Sequence, residues 1–91
     1  MNPWNRKYHL GLAIACFRLS DWDRSVRACR QALRLEPSNS ASHSLLLQCY
    51  LCLGRKEQAQ AEFEILRQLT SEDRRPALRL WYEEQVRRLA R

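Results

Sequence analysis

The feature that most restricts the fold is a sequence period. Leu12-Ala13, Cys16, Trp22, Ser25, Cys29, Ala32 and Pro37 recur in kind as Leu46-Leu47, Tyr50, Lys56, Ala59, Phe63, Leu66 and Ser71, with 46 − 12 = 34 residues between copies. Run backward, 37 − 34 falls on Pro3, followed by Trp4-Asn5 where the later copy has Ser38-Asn39, so residues 1–5 read as the end of a preceding unit. A period of this length marks stacked supersecondary units, each too small to bury its own apolar face.

Inside each period the apolar spacing is helical. Leu10, Ala13, Ile14 and Phe17 stand at i, i+3, i+4, i+7 of a first helix near Arg6 to Leu19. Ser20-Asp21-Trp22-Asp23 then offers side chains for the free amides of a second helix, Trp22 to Leu35, which Pro37 ends. Ser38-Asn39-Ser40 offers caps for a third, about Ala41 to Leu53, closed by Gly54. Its residues Leu45, Leu46, Leu47, Cys49, Tyr50, Leu51, Cys52 and Leu53 wrap most of the circumference, which predicts a central helix. A fourth runs about Lys56 to Leu69 with Ala59, Phe63 and Leu66 inward. A fifth, from Glu72 or Arg74 to Ala90, tolerates Pro76 in its first turn. No strand-like alternation persists, so the expectation is an all-α chain of five helices, antiparallel hairpins stacked as a short α-solenoid. Small residues at Ala13, Ser25, Ala32 and Ala59 let helix axes approach, while Leu12, Leu46, Tyr50 and Phe63 fill the space beside them.

A chain of 91 residues with 45% hydrophobic and 29% charged residues suits one domain without a membrane span. The amino terminus lacks the apolar core of a secretory signal, so a cytoplasmic protein is expected. The net charge of +6 is uneven, with +4 in residues 1–40, −2 in 41–73 and +4 in 74–91, which suits an acidic partner or self-association as well as it suits nucleic acid.

These residues resemble the tetratricopeptide repeat, a helix-turn-helix unit of 34 residues. Its pattern of a bulky residue, Leu-Gly, Tyr, Gly-x-Tyr, Ala, aromatic, Ala and Pro is met by His9, Leu12-Ala13, Cys16, Ser20-x-Trp22, Ser25, Cys29, Ala32 and Pro37. The second copy has His43, Leu46-Leu47, Tyr50, Gly54, Ala59, Phe63 and Leu66, with Ser71 in place of the closing proline. The resemblance implies a single domain: residues 1–5 a remnant or amino-terminal cap, 6–39 and 40–73 one repeat each, and 74–91 a capping helix.

It also implies a non-enzymatic module, an adaptor, scaffold or assembly factor, that binds a peptide or helix of another protein in a concave groove or on an apolar end face. Carried over by position, the groove shows Lys7, Leu10, Ile14, Phe17 and Arg18, then Ala41, Ser44, Gln48, Leu51 and Cys52. An apolar floor with a basic rim, including Arg79, suits an amphipathic segment bearing acids. Part of this face can instead pack under the fifth helix. The positions where some relatives grip a terminal carboxylate are Leu10, Ile14 and Leu45, none of which donates a charged hydrogen bond.

Self-association is a further expectation, through an uncovered end marked by Trp4 and Trp22. The arginines Arg74, Arg75, Arg79, Arg87, Arg88 and Arg91 form a basic patch able to meet phosphates, which keeps a nucleic-acid or ribosome-associated accessory as the alternative, although no base-stacking motif accompanies them. No cofactor or metal is expected: Cys49-x-x-Cys52 lies within a helix with no second pair to complete four ligands, and no catalytic constellation stands out. Cys16 and Cys29 should be small reduced core residues, and His9 and His43, one period apart, structural.

Overall fold

A computed structural model describes residues 6–90. Among them are five α-helices, α1 (Arg6–Arg18), α2 (Trp22–Leu35), α3 (Ser40–Cys52), α4 (Lys56–Leu69) and α5 (Arg75–Leu89), with a 3₁₀ turn at Glu72–Arg74 and no strand. The expected N-caps form: Asp21 accepts from the amide of Arg24 (3.4 Å) and Asn39 from that of Ser42 (3.0 Å). The helices pack as antiparallel hairpins, α1 on α2 and α3 on α4, and α3 also lies against α1, α2 and α5. The helix that is apolar all round is therefore the central one, as its sequence implies.

The period is reproduced in the backbone. Ser20 N–H donates to the carbonyl of Phe17 (3.0 Å) and Asp21 N–H to that of Cys16 (2.9 Å). One period later Gly54 N–H donates to Leu51 (3.1 Å) and Arg55 N–H to Tyr50 (2.8 Å). Each is a Schellman ending, and each turns on a left-handed residue, Ser20 at φ 60° and Gly54 at φ 76°. Serine pays roughly 1–2 kcal/mol there that glycine does not, against roughly 0.5–1 kcal/mol for the freedom glycine loses on folding. Ser20→Gly is thus expected to stabilise the chain by up to about 1 kcal/mol, and Gly54→Ala to weaken it by a similar amount. Urea midpoints of the two variants check the signs.

Close helix approach rests on the small residues. Ala13, Ser25, Ala32 and Ala59 are each at most 1% exposed. Where α1, α2 and α3 meet, the Cys49 thiol donates to Ser25 Oγ (3.2 Å), which donates to the carbonyl of Ala13 (2.8 Å). This buried chain of two bonds joins three helices. Across the same seam Arg30 Nη2 donates to Tyr50 Oη (2.8 Å). Leu12 departs from its expected packing role. It is 44% exposed, whereas Leu46, one period later, is 3% exposed, because α1 has no preceding helix among the described residues to cover it.

Candidate interaction surfaces

The residues assigned to the groove divide into three groups. On α1, Ile14 is 40% exposed, Leu10 and Phe17 are half-buried, and Lys7 and Arg18 are exposed near the two ends of the strip. On α3, Ser44 and Gln48 are half-buried and, with Ala41, line a depression of about 370 Å³ closed on its other side by Leu78 and Trp81 of α5. The fifth helix therefore takes up part of the face, as the competing expectation held. Leu51 and Cys52 correct the assignment. They are 1% and 6% exposed, so both belong to the core and neither is floor presented to a ligand. A helix apolar on every side gives its last turn to packing when neighbours surround it.

Of the residues expected at a self-association face, Trp4 lies outside the described residues. Trp22 is half-buried and meets Phe17 edge to face, ring centres 5.0 Å apart, so its ring is engaged within the hairpin.

The basic patch is also divided. Arg74, Arg79, Arg87 and Arg88 are exposed, the last 4.0 Å from Glu84, and Arg91 lies outside the described residues. Arg75 faces outward only in part, with its side chain 36% exposed: its Nε donates to the carbonyls of Arg67 (3.0 Å) and Thr70 (3.2 Å), and its Nη1 stands 4.0 Å from Glu72. It caps α4, whose last carbonyls have no intrahelical partner. Beside it, Phe63 of α4 stacks on Tyr82 of α5 with ring centres 4.4 Å apart.

His43 and the cysteines are accounted for by structure. His43, 6% exposed, is held at both ring nitrogens, Nδ1 2.7 Å from Glu62 Oε1 and Nε2 2.8 Å from the carbonyl of Pro37. It ties α3 to α4 and to the turn before α3. Removing it strands a carboxylate whose side chain is only 13% exposed, so His43→Ala is expected to cost about 2–3 kcal/mol, read as a lower urea midpoint. All four cysteines are buried and none is in a disulfide. Burial pushes the Cys29 thiol up to about 12, helped by the nearby Cys49, and burial pushes Cys49 up to about 11 against the opposing bond to Ser25. Such thiols are poor nucleophiles and poor metal ligands at neutral pH. Among the described residues no three metal-ligating side chains cluster, and no helix is long and apolar enough to cross a membrane.

One surface was not assigned by residue from the sequence. Between α1 and α2 runs an open groove of about 530 Å³, lined on α1 by Tyr8, His9, Leu12 and Cys16 and on α2 by Arg24, Arg27, Ala28 and Gln31. The signal was available in the period. Adding 34 to the four α1 positions gives Ser42, His43, Leu46 and Tyr50, a set that could only be seam-forming in a stacked array, and all four are at most 6% exposed.

Comparison with known proteins agrees with this geometry. A model of the tetratricopeptide repeat matches residues 17–80. The inactive TPR repeat-containing thioredoxin TTL3 of Arabidopsis thaliana is 35% identical over 60 residues, a span covering 66% of this chain and 9% of that protein. The chain thus spans less than a tenth of that relative's length. No solved structure matches the chain significantly.

Proposed function

The chain belongs to the tetratricopeptide repeat family, whose units mediate protein–protein interaction and are generally non-enzymatic, and on that premise we propose that it holds a segment of another protein against α1 as an adaptor or scaffold. The observation that supports this most directly is the strip Leu10, Ile14, Phe17. It presents apolar surface at i, i+4, i+7 with Ile14 40% exposed, and it carries the exposed cations Lys7 and Arg18 near its ends. An amphipathic segment gains affinity from such apolar anchors and orientation from the charges. Ser44 and Gln48, beside Leu78 and Trp81, extend the reading to α3 with polar contacts over a small apolar depression.

A photo-crosslinking amino acid at position 14 tests it, with the same group at position 87 on the exposed face of α5 as the reference. The expected result is one discrete protein adduct from position 14 that position 87 does not give and that Arg18→Glu weakens. Identical adducts from both positions, or adducts to polynucleotide alone, would reject the reading. The nucleic-acid alternative is weakened at Arg75, whose Nε is engaged by the carbonyls of Arg67 and Thr70 at the end of α4.

A further inference from the structure

We infer that the open groove between α1 and α2 is a second docking site, and that its occupant is a short amphipathic helix of another protein carrying two acids one turn apart along one edge. The inference rests on the protein-binding reading and adds the site, the shape and the charge of what is bound.

The shape follows from the repeat. The α1 side of the groove is the counterpart of the α3 surface made by Ser42, His43, Leu46 and Tyr50, which is buried. Part of that cover is a helix, α2, which reaches Tyr50 through Arg30 and lies beside the neighbouring Cys49 through Ser25, while His43 is held by Glu62 of α4 and the carbonyl of Pro37. The same backbone surface, one period earlier, is shaped for a helix and has Leu12 44% exposed in it. From Tyr8 to Cys16 the groove follows nine residues of α1, a rise of about 12 Å, matched by a little over two helical turns.

The differences between the two copies define the occupant. Where Tyr50 offers a hydroxyl to Arg30, the groove has Cys16, which is smaller and needs no arginine opposite it. A leucine or methionine fits over Cys16 and Ala28. On the rim, Arg24, with its side chain 73% exposed and its Nε 3.4 Å from Asp21, and Arg27 stand one turn apart on α2 where the second hairpin has Gln58 and Ala61. Two carboxylates at the same spacing on the occupant complement them. A second copy of this chain is the poorer candidate, since it brings another +6 of charge.

The test is a fluorescence-anisotropy titration of the full chain with a labelled helical peptide of about four turns, apolar at i, i+3, i+4, i+7, with two edge glutamates one turn apart. The same peptide with lysines in place of the glutamates is run beside it. The glutamate peptide is expected to bind at least tenfold more tightly at low salt, and Arg24→Glu with Arg27→Glu to reverse that preference. Leu12→Glu should abolish binding with unchanged far-UV circular dichroism, whereas Leu80→Glu, 66% exposed on α5, should not change it. Equal affinity for the two peptides, or no binding of either, overturns the inference. So does binding that is lost in Ile14→Glu but kept in Leu12→Glu, or binding that requires deletion of residues 1–5, which would make that segment the occupant. A concentration-dependent dimer abolished by Leu12→Glu would assign the groove to a second copy instead. Crosslinking from position 14 judges the broader protein-binding reading separately, because it does not depend on this groove.

Discussion

Leu46→Ala is expected to cost about 2–5 kcal/mol of stability, while Leu12→Ala, the same substitution one repeat earlier, costs less than about 1 kcal/mol. The two leucines share residue type, helix position and surrounding pattern. They differ in what lies over them: Leu46 is 3% exposed under the first hairpin, and Leu12 is 44% exposed at the open end. Truncating Leu46 removes its transfer energy and leaves a void in the seam, whereas truncating Leu12 widens a groove already open to solvent. A domain of this size has roughly 5–14 kcal/mol of stability, so the first loss is a large share of the total. Chemical denaturation of both variants decides it, and equal losses would mean that the groove is closed in solution.

The second expected result is alkaline unfolding. Cys29 and Cys49 keep their protons to about pH 12 and about pH 11 in the folded chain, against an ordinary value of 9.0. Below that ordinary value both states hold the protons and the thiols contribute no pH dependence. Above it the unfolded chain binds fewer protons than the folded one, so stability falls as pH rises, by about 1.4 kcal/mol per pH unit for each thiol. Two thiols over two pH units remove on the order of 5 kcal/mol. Tyr82, raised by burial, acts in the same direction at still higher pH. Urea melts from pH 7 to 11 should show a level region and then a steep decline starting near pH 9. In the variant combining Cys29→Ala and Cys49→Ala the starting stability is lower and the decline shallower. A level response to pH 10.5 in the unaltered chain would contradict the expectation.

Much of the fold was legible because the period and the caps constrain each other. Asp21, Asn39 and Gly54 mark ends that the backbone respects, and the apolar circumference of α3 implies its central place. The surfaces were less legible, and for identifiable reasons. Position in the repeat places Leu51 and Cys52 on an inner face but does not reveal whether a neighbour covers that face, and apolar residues suit floor and core alike. The charge of Arg75 can be read from the sequence, but its engagement by the carbonyls of Arg67 and Thr70 cannot. Leu12 has the residue type of a core position, and its exposure reflects that no helix precedes α1 among the described residues rather than its own chemistry.

The placement of α3 has a consequence for biosynthesis. Contact between the first hairpin and the rest of the described chain runs through α3. A nascent chain that has released α2, ending at Leu35, must wait for Cys52 before the apolar side of α2 finds its partner. At the roughly 5–20 residues per second of translation that interval is about 1–3 seconds, during which the stripe that α3 will cover stays unshielded.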